Sequence, residues 1–158
     1  MRITFLVAFG LMSGLFACSD KGINSTDGNN LSNIKNTWWS LQSFESVTGD
    51  TVTLASNQGY FVLFADSSVS SEPDSIYGNA SLRGKTDSLC RNIYGANYWI
   101  GDDNSLSVGP IWNTKIYCGS SYTQYLQALG NAASFQISND TLTIFQRDDR
   151  KWLIFIKQ

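Results

Sequence analysis

The chain has 158 residues, a formal net charge of −2, only two prolines and no histidine. Lacking histidine, it cannot carry a Ser-His-Asp or Cys-His nucleophile or a histidine-based zinc site, and no basic stripe marks it for nucleic acid. Aromatic residues reach 13%, a supply that a small single-core domain uses first as packing material.

Behind Arg2, Ile3 to Phe16 form an apolar run of fourteen residues, short of the roughly 20 that a helix needs to cross hydrocarbon. The run closes on Leu15-Phe16-Ala17-Cys18, which looks like a bacterial lipobox. Export, cleavage before Cys18 and acylation of that cysteine are expected; the alternative is an ordinary signal peptide with Cys18 as a bystander. Two or more acyl chains, at about 0.8 kcal/mol per buried methylene, hold a protein on a membrane without a spanning helix. In a Gram-negative source, Ser19 in place of Asp after the cysteine fits lipoproteins sent to the outer membrane, facing the periplasm or the surface. The expected division is a signal peptide over 1–17, an acylated N-terminus and flexible tether over 18–33, and one domain over 34–158. Ser19 to Asn33 is rich in Ser, Asp, Asn and Gly, and as a flexible coil reaches about 20 Å. Loss of 1–17 removes only Arg2 from the charges, leaving 10 basic and 13 acidic residues.

Beyond the tether, Trp38 to Phe44, Gly59 to Ala65 and Ile76 to Arg83 are rich in aromatic and branched residues and bounded by Gly, Asp, Asn and Ser, which predicts strands. Asn97 to Ile100 and Ser105 to Val108 flank Gly101-Asp102-Asp103-Asn104 as a hairpin, and Trp112 to Tyr117 leads into Cys118. A helix follows, because Tyr122, Tyr125, Leu126 and Leu129 repeat at helical spacing with Leu126 mid-stripe and Gln127 to the side. Ser121 and Gln124 fit a capping box, and Gly130 fits the end. Ser134 to Ser138 and Thr141 to Gln146 flank Asn139-Asp140, suited to a type I′ turn. Lys151 to Ile156 ends the series, apolar on both faces, which predicts a central or doubly covered strand. The fold class is therefore mainly β: a small antiparallel β-barrel or strongly curled sheet of about eight strands with one short α-helix closing an end or covering a seam.

With Cys18 assigned to lipid, Cys90 and Cys118 remain as a pair in an oxidising compartment, and a disulfide is expected. Closing its loop of 29 residues is worth about 3.6 kcal/mol in the chain-entropy view. A redox-active or metal-binding pair would call for Cys-x-x-Cys spacing or histidine, and neither is present.

Carboxylate pairs at Asp102-Asp103 and Asp148-Asp149 are the only candidates for glycosidase-like chemistry, and Asp102, Asp103 and Asn104 for calcium. Adjacent acids at turns read better as solvated turn residues. Of the five tryptophans, Trp39 and Trp152 are expected in the core together with the helix stripe. Trp99 and Trp112 are candidates for a sugar-stacking or apolar binding surface, although packing is the favoured reading for both. Ile76, Gly78, Ala80 and Leu82 share a strand face whose small members can leave ligand space inside a barrel.

The order of features from Thr37 onward resembles the META domain family, also called HslJ-like. Thr37-Trp38-Trp39-Ser40-Leu41 resembles its opening Trp-x-Leu strand, with Phe64 as a strand-ending phenylalanine. Leu106-Ser107-Val108-Gly109-Pro110-Ile111 and Thr114-Lys115-Ile116-Tyr117-Cys118 are the strongest local match, keeping a threonine four residues before the cysteine. Tyr125 to Leu129 looks like its helix and Ser138 to Ile144 like the next hairpin. At Cys90 the family's Gly-Cys-Asn is replaced by Leu89-Cys90-Arg91, matching Tyr94 and Tyr98 to its two aromatic positions takes one inserted residue, and Gly119-Ser120-Ser121 stand where a proline and glutamate are common. The resemblance implies a barrel-like β fold with a helix in envelope and stress-associated proteins, without catalytic residues, and a fold-level likeness to pilots of secretin assembly. The expectation is a non-enzymatic envelope lipoprotein without cofactor, attached to the membrane by its N-terminal lipid, that binds an envelope protein or supports envelope integrity. The alternative is a carrier or sensor of a small hydrophobic ligand.

Overall fold

A computed structural model describes residues 33–54, 59–66, 80–87, 90–114, 116–148 and 151–158. The export segment, Cys18 and the tether up to residue 32 lie outside these, as do Ile76, Gly78 and Asp149. The strands are β1 (Trp38–Glu45), β2 (Thr51–Thr53), β3 (Tyr60–Phe64), β4 (Leu82–Thr86), β5 (Ile93–Ala96), β6 (Tyr98–Ile100), β7 (Leu106–Val108), β8 (Trp112–Asn113), β9 (Ala132–Ser138), β10 (Thr141–Gln146) and β11 (Trp152–Lys157). Helix α1 (Ser120–Gly130) joins β8 to β9. Nine strands make one antiparallel sheet in the order β8-β5-β4-β3-β1-β11-β10-β9, with β2 beside β1, and β6 pairs with β7 as a separate hairpin.

The expected barrel is not closed: among the described residues no ladder joins β8 to β9. β8 has only two residues and follows Pro110, which has no N–H to offer a ladder. The β6–β7 hairpin instead reaches β9 by a single bridge, Ser105 to Ser134, with Phe135 N donating to Asn104 O at 3.0 Å.

Alternation places one face of the sheet in the core. Tyr60, Val62 and Phe64 of β3, Leu142 and Ile144 of β10, and Leu153 and Phe155 of β11 are buried. β1 breaks step, since an extra residue between Leu41 and Ser43 shifts its register against β11. This bulge leaves Gln42 exposed and turns Phe44 inward where strict alternation would put Ser43. Trp39 is buried and its Nε1 donates to Ile34 O at 3.1 Å, fixing the point where the chain enters the domain. β11 is central, between β1 and β10, as its two apolar faces predict. Trp152 lies on its other face and is half-buried, outside the core. On that outer face the Lys85 ammonium lies 4.5 Å from the centre of the Trp38 ring.

Helix α1 lies across the core face. Its buried residues are Tyr122, Tyr125, Ala128 and Leu129, so Ala128 and not Leu126 completes the stripe; Leu126 packs at the margin, half-buried. Gly119, at φ 82°, precedes the first turn with no side-chain cap, and Ser121 Oγ meets Tyr60 Oη at 3.3 Å instead of forming the expected box. Gly130 lies within the helix, and Asn131 follows as the cap, its N–H shared between Gln127 O and Ala128 O. The β9–β10 hairpin turns at Asn139-Asp140 with a left-handed φ of 54° at Asn139 alone, which a type I′ turn does not permit.

Tyr125 is the point where the layers meet. Its ring stacks on Tyr60 at 5.2 Å and takes edge contacts from Phe44, Tyr94 and Phe155, so one helix residue touches β1, β3, β5 and β11. The Tyr94 hydroxyl donates to Phe61 O at 2.7 Å, which uses its only proton, so the hydrogen bond between Tyr94 and Tyr125 is donated by Tyr125. Gly84 makes this possible: a Cβ there would lie 1.9 Å from Tyr94 Cζ, because the tyrosine ring of β5 crosses flat over β4.

Candidate functional site

Cys90 and Cys118 are joined in the structure, with their Cα atoms 5.5 Å apart, a separation that a disulfide spans. Asn92, fully buried, ties the two ends of the loop together. Its backbone exchanges hydrogen bonds with Thr86, the amide donating to Oγ1 at 2.8 Å and the carbonyl accepting from the Thr86 amide at 2.8 Å. Its side-chain Nδ2 donates to Ile116 O and to Cys118 Sγ, both at 2.7 Å, while Oδ1 accepts from Thr114 Oγ1 at 2.7 Å and from Ile116 N at 3.2 Å. These bonds replace the ladder that a longer strand from Trp112 to Tyr117 would have made, which is why β8 stops at Asn113. Sequence reasoning missed Asn92; its place two residues after a cysteine was the only signal.

The segment held in this way presents apolar side chains to solvent. Tyr117 is 89% exposed, Ile116 52% and Trp112 40%, and all three lie within seven residues of the disulfide. The Trp112 ring covers Gly95, where a Cβ would come within 2.6 Å of Cζ2. β8 ends the sheet, so the patch sits at a strand edge.

Trp99 lies elsewhere, on β6. It is 61% exposed, so the packing reading fails for it most clearly, and for Trp112 in part. Alternation on a two-stranded ribbon explains this, because Tyr98 and Ile100 turn toward the core and leave Trp99 outside. An open groove of about 490 Å³ runs beside it, lined by Lys35, Asp66, Ser81, Asn97, Tyr98 and Ile100 among others. Tyr98 Oη donates to Ala65 O at 3.1 Å, and partial burial beside Asp66 pushes this phenol up to about 12. Lys35 Nζ stands 4.0 Å from Asp66 Oδ2. A second open groove, about 420 Å³, runs between α1 and the β7–β8 connection, lined by Val108, Pro110, Ile111, Leu126 and others.

The other sequence candidates do not converge. Asp103 Oδ1 accepts from Ser105 N at 3.0 Å, and hydrogen bonding to Ser105 holds its carboxyl below the usual carboxylate range, so it serves the hairpin turn. Asp148 pairs with Lys151 at 3.1 Å. Among the described residues no three His, Cys, Asp or Glu side chains come together as a metal would require. Ala80 and Leu82 are buried, and Phe64 stands opposite Leu82 across the β3–β4 ladder. Four tyrosines, Tyr60, Tyr94, Tyr122 and Tyr125, cluster beneath the helix; burial raises the phenols of Tyr60, Tyr122 and Tyr125 and keeps them neutral. Among the described residues Tyr122 Oη finds no hydrogen-bond partner. No described helix is long and apolar enough to cross a membrane.

No protein-family profile matches the chain, and no curated protein matches it. Solved structures that share the fold include the following two. The NMR structure of a protein from Burkholderia xenovorans is 18% identical, with 80% of this chain and 85% of that chain covered and a TM-score of 0.55. The crystal structure of a DUF4847 family protein from Bacteroides vulgatus is 11% identical, covers 79% and 94%, and has a TM-score of 0.51. Neither is described as a META or HslJ protein, and at these identities the likeness is one of fold.

Proposed function

We propose that the chain is a lipid-anchored envelope protein, acylated at Cys18, whose META/HslJ-like domain binds a protein partner and performs no catalysis. In a Gram-negative cell it belongs to the outer membrane. The observation that carries the binding role is the exposure of Ile116 and Tyr117 on a segment fixed by the Cys90–Cys118 bond and by Asn92. Apolar side chains held rigidly in water lose little conformational freedom on docking, and aromatic anchors of this kind dominate interface energies. The family reading draws support from Thr114, the threonine four residues before Cys118, whose Oγ1 donates to Asn92 Oδ1. In its finer form the reading treats the sheet as a barrel-like curl, with the β6–β7 hairpin on the open side between β8 and β9.

A photoreactive amino acid at position 117 of the acylated protein, in its own envelope, is expected to capture one discrete partner. The same probe at exposed Gln127 should not capture it. Equal capture from both positions refutes the site. Metabolic labelling with a fatty-acid analogue should mark the wild type and not Cys18→Ala, and equal labelling refutes the anchor. The carrier reading finds space in the groove along α1, about 420 Å³ but open to solvent. Saturable uptake of an apolar dye that Leu126→Trp abolishes would favour it.

A further inference from the structure

The described chain begins at Asn33, enters the core at Ile34, and at Lys35 lines the same groove as Trp99. The point where the domain meets its tether is therefore also the point where it presents its most exposed tryptophan. We propose that this groove docks on the bilayer interface to which the N-terminus is anchored, with the Trp99 indole at headgroup depth. The proposal rests on the lipid-anchor reading of Cys18.

Three observations support it. First, on the tether reading the fifteen-residue stretch from Ser19 to Asn33, rich in Ser, Asp, Asn and Gly, has a coil reach of about 20 Å. The groove is thus held within one short tether length of the lipid, where its effective concentration is of millimolar order and weak contacts suffice. Second, Trp99 is fixed by the pairing of Tyr98 with Val108 and of Ile100 with Leu106, so its ring is displayed without a large loss of freedom on contact. An indole, with an apolar body and one N–H, suits the zone between water and hydrocarbon. Third, the charges decide which surface it meets. Lys35 is matched by Asp66, and Asp102 and Asp103 stand exposed in the turn beyond Ile100. The face is not cationic, so the surface it fits is one of zwitterionic headgroups.

The test uses the full acylated chain in vesicles of phosphatidylethanolamine and phosphatidylcholine, with and without bromine on the acyl chains. Bromine should quench part of the tryptophan emission of the wild type. That part should vanish in Trp99→Phe and persist in Trp112→Phe, with all three proteins floating with the vesicles. Exchanging some lipid for phosphatidylglycerol should weaken the quenching. Co-flotation with equal quenching in wild type and Trp99→Phe overturns the docking and leaves the anchor intact. Failure to float, with no acyl mass on Cys18, overturns both. Stronger quenching on the anionic vesicles overturns the headgroup assignment. Absence of quenching, with a shift of Trp99 emission on adding soluble peptidoglycan fragments, assigns the groove to a glycan and overturns the proposal.

Discussion

Replacing Gly84 by alanine tests whether the tyrosine crossing organises the core. In an ordinary strand this change gains about 0.5 to 1 kcal/mol, because glycine loses more backbone freedom on folding. Here the new methyl would lie 1.9 to 2.4 Å from Cζ, Cε2 and Cε1 of Tyr94, well inside contact distance. The ring cannot simply lift, since its hydroxyl is held by Phe61 O and by Tyr125 at the far end. Overpacking costs about 1 to 3 kcal/mol, and weakening two buried hydrogen bonds adds about 1 to 2. The net loss expected is about 2 to 4 kcal/mol. Urea unfolding with the disulfide intact measures it, and Tyr94→Leu supplies the control. With the ring removed, Gly84→Ala should be neutral or stabilising by up to about 1 kcal/mol, giving a coupling of roughly 2 kcal/mol or more. A neutral or stabilising Gly84→Ala in the wild-type background would refute the reasoning.

Asn92→Ala should cost about 2 to 4 kcal/mol, because Ile116 and Thr114 lose a buried partner, and should speed amide exchange at Ile116; unchanged exchange would contradict the clamp. Leu129→Ala, fully buried, should cost about 2 to 5 kcal/mol, Leu126→Ala about half that, and exposed Gln127→Ala no more than about 0.5. Equal effects of Leu126 and Leu129 in urea would mean that the helix is rotated. Tyr98, whose folded value near 12 lies above its unfolded value near 10, holds its proton more tightly when folded. Its contribution is complete below about pH 10 and disappears as pH rises through about 12, so the denaturation midpoint should fall across that window, less steeply in Tyr98→Phe. A midpoint that rises there contradicts this. Peptide mapping without reduction should recover Cys90 linked to Cys118 from envelope material, and two free thiols would contradict the bond.

The strands that the residues announced were those with a clean two-residue rhythm and a polar boundary. Thr141–Gln146 matches the expected span, and β3, β7 and β11 differ only at their ends. β5 was invisible because Tyr94, Gly95 and Ala96 are all buried, Gly95 beneath Trp112, so no alternation marks it. β2 is three residues at an edge, too short for a pattern to register. The helix was legible from its spacing, but Ala128 is so small that a stripe drawn through large side chains passed instead through Leu126. At the candidate site, pairing Cys90 with Cys118 needed only a count. The outward aim of Ile116 and Tyr117 depends on Asn92 taking over the backbone bonds of a strand, a tertiary event that no local pattern records.

The first strand of the domain, β1, pairs along its length with the last, β11: Trp39 lies opposite Lys157 and Phe44 opposite Leu153. The middle of the sheet therefore cannot assemble until residues 152–157 have been made, and every ladder built earlier is a fragment with its principal edge bare. Such long-range closure slows folding. On the export route proposed above it would also be useful: translocation could run to completion on a polypeptide whose core is not set while residues 152–157 are still inside.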